Sequence, residues 1–262
     1  MSATLFDPAL RAVRRDRAAR QGPELFLYDR VLGDCLDRIA LMQRQFDRAL
    51  LVGCPSADFA HQLLQVADAV DRMDPGPLFA AAAGGTAIVE DSWEPQPGAY
   101  DLLVSIGTLD TVNDLPRALI ASRFALAGDG LFIGALSGGD TLPQLRSAMR
   151  AADEIAGTAV LHVHPRIEPA AFTGLLSAAG FERPVVDIDR VPVSYPALCR
   201  LISDLRRMGA TNLLSARARV PLTRAQRAAA EANFAAAGHD GRTTEIFEII
   251  HFAAWTPSDK ER

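Results

Sequence analysis

A chain of 262 residues, 49% hydrophobic and 23% charged, can bury a full core as one large domain or as a domain with a smaller appendage. Its formal charge of −5 excludes the broad cationic surface that nucleic acid demands, and its three widely spaced cysteines, Cys35, Cys54 and Cys199, spell neither a disulfide framework nor a paired-cysteine zinc site. No apolar run reaches the roughly 20 residues of a membrane span, no secretory signal is expected, and a reducing cytoplasm is the default compartment.

The cluster Arg11, Arg14, Arg15, Arg17 and Arg20, interrupted by Asp7 and Asp16, reads as a solvated helix face. From 24 to 46 apolar residues recur at helical spacing and predict an amphipathic helix packed on the domain C-terminal to it. Residues 49–52 form the first buried strand. Gly53, Cys54, Pro55, Ser56, Ala57 and Asp58 then make a tight turn into a helix over 57–64, the place where an α/β domain offers free backbone N–H groups to an anionic ligand. A second strand is expected near 66–70, closed by Asp71. That acid stands 18 residues after Gly53, near the spacing at which nucleotide-binding folds place a ribose carboxylate; a solvated strand-end acid is the alternative.

A helical piece at 78–83 leads to a strand over 86–89. Asp91 lies beyond it, either positioned for an adenine amine or as an ordinary surface acid. The run 100–105 is the clearest strand, apolar enough to be covered on both faces, and the loop from Ile106 to Thr111 lies at its carboxyl end. Asn113 and Asp114 precede a helix over 116–125, a Gly-Asp-Gly turn comes after it, and 131–136 is the next buried strand.

Ser137 opens a helix expected to run through Met149. His162 and His164 would share one side of a strand, yet no third ligand stands near, so no metal site is assigned. A helix over 172–179 ends at Gly180, an edge strand carrying a proline spans 185–193, and an amphipathic helix covers 196–208. A capped helix over 223–237 and a last strand over 245–255 close the fold. The tail after Pro257 is polar and expected to be loose.

These segments resemble the core of class I S-adenosylmethionine-dependent methyltransferases: VGC after a buried strand, acids after the second and third strands, then AYDLLVS, VNDLPRAL and AGDGLFIGAL. Outside the core, RRDRAAR, LDRI, FDRALLVGC, SGGDTLPQLRSAM, HPRIEP, LLSAAGF, DLRRMGATN and FEIIHFAAW are similar to a narrower group. Its members are the proteins related to the arginine-hydroxylating assembly factor of respiratory complex I, neighbours of the malonyl-carrier-protein methyltransferases of biotin synthesis.

The resemblance implies a Rossmann-like α/β fold, a seven-stranded mostly parallel sheet with helices on both faces. It divides the chain into an N-terminal helical segment (1–46) and a methyltransferase-like domain (47–262) with cap elements near 137–170 and 196–240. It also implies S-adenosylmethionine in a cleft formed by Gly53, Cys54, Asp58, Asp71, Asp91, Ser105 and Ile106. A protein or carrier-bound substrate would lie above, near Asn113, Arg166, Arg206 and Asn212. No catalytic residue is identifiable, since methyl transfer needs mainly alignment.

Three positions depart from the family pattern. Leu51 replaces an acid, Pro55 has no N–H to give, and Ala57 adds a Cβ where backbone should approach the ligand. The leading expectation is an S-adenosylmethionine-dependent methyltransferase. The alternatives are a pseudoenzyme or assembly factor for a respiratory-chain subunit, or an arginine hydroxylase of the same fold.

Overall fold

In the computed structural model, which describes residues 4–258, seven strands form one sheet: β1 (Phe46–Val52), β2 (Ala67–Asp74), β3 (Thr86–Ala87), β4 (Tyr100–Ile106), β5 (Leu126–Ser137), β6 (Glu182–Tyr195) and β7 (Thr243–Trp255). Their order across the sheet is β3-β2-β1-β4-β5-β7-β6. The first five run parallel, while β7 lies antiparallel between β5 and β6. The predicted seven-stranded, mostly parallel sheet is therefore present. The strand order reverses at β1 and β4, so a crevice opens at their carboxyl ends, where open α/β sheets hold ligands.

Alternate residues of β1 feed two apolar layers, because successive side chains in a strand point to opposite faces. Ala49 and Leu51 meet α2 (Phe26–Leu41) and α3 (Ala57–Leu63) through Leu32, Ile39, Phe59 and Leu63. Leu50 and Val52 meet α5 (Leu115–Ala125) and α7 (Pro169–Ala178) through Leu119, Phe172 and Leu176. Each fully buried leucine or phenylalanine contributes about 1.5–3 kcal/mol. A third cluster joins α6 (Pro143–Ala156), α8 (Leu198–Arg207) and α9 (Arg224–Ala236) through Ala148, Leu201 and Phe234. The caps match their sequences: Asp114 accepts from Arg117 N, and Thr223 and Gln226 form a capping box on α9.

Four expectations are corrected. The second strand does not stop at Asp71; Arg72 and Met73 stay paired with Leu51 and Val52, and Pro75 and Gly76 end it after Asp74. The third strand is only Thr86–Ala87, with α4 (Pro77–Ala82) before it and a 3-10 turn at Glu90–Ser92 after it. Helix α6 begins at Pro143 rather than Ser137; its first amides are capped across space by Glu245 of β7, which accepts from Gln144 N and Leu145 N at 3.1 and 2.8 Å. The arginine cluster builds α1 (Pro8–Gln21), whose Arg11 and Arg15 are buried rather than solvated. Of the polar tail, the residues after Ser258 lie outside the described ones.

Candidate functional site

The turn leaving β1 is tight. Gly53 has φ +88°, and a Cβ on it would lie 2.3 Å from the Ile106 carbonyl oxygen and 2.8 Å from Thr108 Cγ2, so only glycine fits. Its N–H donates to Met73 O at 2.8 Å, and Cys54 N donates to Asp74 Oδ2 at 2.9 Å. Leu51 is fully buried in the apolar core, and Pro55 is buried beside the turn.

The acid at the end of β2 is Asp74, 21 residues after Gly53, and it is fully buried. Gly76 N donates to its Oδ1 at 2.6 Å, and Arg15 of α1 reaches it through Nε (2.7 Å to Oδ1) and Nη2 (2.5 Å to Oδ2). Burial opposes the Arg15 cation, but the Asp74 charge and hydrogen bonds outweigh it and hold the guanidinium above its usual pKa. One turn earlier on α1, Arg11 grips Glu90 after β3, with Nη1 to Oε2 at 2.6 Å and Nη2 to Oε1 at 3.0 Å. Arg11 Nη2 also donates to Thr108 O at 2.6 Å. Helix α1 thus lays two bidentate arginines over the ends of β2 and β3. It sits close: a Cβ on Gly76 would be 2.6 Å from Arg15 Cβ.

Beyond β4 and β5 lies a largely apolar cavity of about 100 Å³ lined by Tyr28, Ile106, Ser137, His164, Arg166 and Met208, among others. Arg166 is ion-paired with Asp110, both almost fully buried, and its Nε is a buried donor without a partner among the described residues. His164 Nε2 accepts from Leu213 N at 2.7 Å, which places the ring proton on Nδ1. Burial, reinforced by Arg166, pulls its pKa down to about 3, so it stays neutral. Tyr28 donates to Met208 O at 2.9 Å, and burial pushes its phenol up.

The sequence-predicted residues divide into three groups. Gly53 and Cys54 form the buried turn at the carboxyl end of β1, Ile106 lines the inner cavity, and Ser105 is buried beside Thr108. Asp58 is exposed in the first turn of α3. Asp71 is corrected: it lies mid-strand with Arg48 (2.7 Å) and Tyr100 (3.0 Å) on its carboxylate, because the strand continues past it to Asp74. Asp91 turns outward, accepting from Asp114 N at 2.7 Å, while its neighbour Glu90 turns inward.

On the substrate side, Arg166 lines the inner cavity, whereas Asn113 instead pins the N-terminal segment through Phe6 N (2.8 Å to Oδ1) and Phe6 O (3.1 Å from Nδ2). Arg206 and Asn212 lie in a separate groove outside α8. Sequence reasoning missed Arg11, Arg15, Asp74, Glu90 and Asp110. The Pro75-Gly76 pair was the signal for Asp74, being a stronger strand terminator than an acid. The i, i+4 spacing of Arg11 and Arg15 placed both on the face that carries Ala18. Among the described residues no cluster of three or more histidines, cysteines or acids could hold a metal ion, and no helix is long and apolar enough to cross a membrane.

Strand order, the glycine turn and acids after β2 and β3 define the class: a class I S-adenosylmethionine-dependent methyltransferase fold. The YcgJ protein of Bacillus subtilis shares the fold, with TM-score 0.58 at 12% identity over 87% of this chain and 98% of that one. No family model matches the chain. It is 31% identical to the mitochondrial arginine-hydroxylase NDUFAF5 of Mus musculus, over 98% of its own length and 79% of that protein's. It is 33% identical to the malonyl-[acyl-carrier protein] O-methyltransferase of Xylella fastidiosa over 62% of its length and 54% of that protein's. The chain belongs to the NDUFAF5 arginine-hydroxylase family of methyltransferase-fold proteins.

Does the cleft suit S-adenosylmethionine? A nucleoside needs a free carboxylate at the end of β2 for its ribose hydroxyls. Asp74 already accepts four hydrogen bonds, which fills a carboxylate's lone-pair sites, and both oxygens of Glu90 are taken by Arg11. The residues in this arrangement do not fit the cofactor, because side chains of α1 hold the groups it would use.

Proposed function

We propose that this chain is a protein-binding member of its family whose nucleoside cleft is shut by its own first helix, and that it serves a polypeptide partner rather than transferring a methyl group. The observation that carries this is the pair of buried salt bridges, Arg15 to Asp74 and Arg11 to Glu90, set over the strand ends. Displacing either arginine would leave a buried carboxylate uncompensated, a cost of about 3–5 kcal/mol that a ligand would have to offset. Leu51, Pro55 and Ala57 support the same reading, since each removes an acid, a donor or a close approach at the turn. The respiratory-chain subunit implied by the sequence resemblance is the partner this reading favours. Three free cysteines, with Cys35 and Cys54 buried, suit a reducing compartment such as the cytoplasm.

The test is a calorimetric titration of the full chain with S-adenosylmethionine and S-adenosylhomocysteine. No saturable heat is expected at millimolar ligand; saturation in the micromolar range ends this reading.

One observation favours a second reading, an S-adenosylmethionine-dependent enzyme acting on a protein or carrier-bound group. Asp74 and Glu90 remain at the strand ends, and Arg166, whose buried Nε has no partner among the described residues, lines the cavity beyond β4 and β5. Under it α1 must withdraw, so Arg11→Ala/Arg15→Ala would bind S-adenosylhomocysteine at least about tenfold more tightly than the unaltered chain.

A further inference from the structure

Helix α1 is two-sided. Arg11, Arg15 and Ala18 face the cleft, while Arg14 lines a groove of about 550 Å³ on the outer side, shared with Arg206 of α8 and with Arg217 and Arg219 of the loop before α9. Among the described residues no acid lines this groove, in a chain whose formal charge is −5. The side chains of Arg206 and Arg219 are exposed, with no hydrogen bond or ion pair among the described residues; Arg217 lies 3.6 Å from Asp7, and His162 at the groove's edge is bonded to Asp153 at 2.8 Å. Arg14 donates to Thr211 Oγ1 at 2.8 Å; burial, then the nearby Arg217 and Arg17 charges, lowers its pKa to about 10. The groove also carries apolar side chains left in solvent: Val220 is 79% exposed and Leu222 39%.

We infer that this groove is a docking surface for an acidic, amphipathic polypeptide segment, whose carboxylates pair with Arg14, Arg206, Arg217 and Arg219 and whose apolar side chains cover Val220 and Leu222. Like charges gathered in one groove cost free energy, and a complementary segment relieves it on binding. Bare phosphate would leave Val220 and Leu222 exposed, and a nucleic-acid duplex would need a cationic footprint longer than this groove. The surface borders the inner cavity and the first helix: Leu213 lines that cavity and Asn212 the groove, and Arg14 brings α1 to the groove. A segment bound here therefore touches the outer face of the helix whose inner face holds Asp74 and Glu90. The inference rests on the reading that the chain has a polypeptide partner, and it holds whether or not the cleft admits a nucleoside.

A fluorescein-labelled Glu/Leu amphipathic peptide, titrated by anisotropy with the full chain at low salt, is the test. Binding is expected to weaken at least about tenfold in Arg206→Glu/Arg219→Glu and to fall with added salt, and a Lys/Leu peptide of equal length is expected to bind at least about tenfold more weakly. Arg206→Gln/Arg219→Gln should give an intermediate loss, and far-ultraviolet circular dichroism checks that each variant is folded. Unchanged affinity in both variants overturns the inference. So does polyphosphate binding as tightly as the peptide, or sedimentation showing that the groove joins two copies of the chain. The S-adenosylhomocysteine titration on the same samples reports on the cleft separately, so the two readings fail by different signals.

Discussion

At Asp74 and Asp71, three positions apart on β2, the same side chain does different work. Asp74 is fully buried with four donors, so Asp74→Ala strands Arg15 as a buried cation and should lower stability by about 3–5 kcal/mol in urea unfolding. Asp71 pairs with a half-exposed Arg48, and Asp71→Ala should cost less than about 1 kcal/mol. His164 gives a pH signature. Its ring faces Arg166, Asp110, Arg14 and Arg146, and its folded pKa of about 3 lies below the ordinary 6.5. Between those values the unfolded chain binds the extra proton, so stability is whole above pH 6.5 and drains as pH falls toward 3, by up to about 1.4 kcal/mol per unit. Replacing it in His164→Gln should flatten that part of the curve, read as urea midpoints between pH 7 and 4.

Helix α1 is the element on which the functional reading turns, and its seating depends on glycine. Gly76 has an ordinary φ, so Gly76→Ala is a test of space alone: the added methyl would meet Arg15 Cβ at 2.6 Å. The expected outcome is a loss of about 1–3 kcal/mol and faster proteolysis within the 8–21 segment; unchanged cleavage would mean that the helix is not held there. Helix α6 shows a different dependence on distant sequence. Its N-cap position is Leu142, with φ +59° and no capping side chain, and Glu245 from β7 supplies the carboxylate instead. No local pattern could announce that cap; the one local signal for the start was Pro143 at the first helical position, which the serine and glycines from Ser137 outweighed in the sequence reading.

For the whole molecule, burial should govern thiol chemistry. Cys35 and Cys54 are buried, and burial pushes both thiols up to about 12; Cys199 is exposed. A maleimide should therefore label one thiol of the three in the native chain and all three in denaturant, counted by mass spectrometry. The sheet, its parallel core and the glycine turn at Gly53 were legible because buried strands are short apolar runs and turns carry their own residues. Those are local properties, and 100–105 or the Thr223 capping box needed nothing from elsewhere. What faces the cleft was not legible. Whether Arg11 and Arg15 meet water or carboxylates depends on α1 lying across strand ends about 60 to 80 residues away in the chain. The sequence by itself determined the elements and the family; only the tertiary structure decided that Asp74 and Glu90 are held by arginines of the same chain, because the energy of a charge is set by the neighbours that folding brings to it.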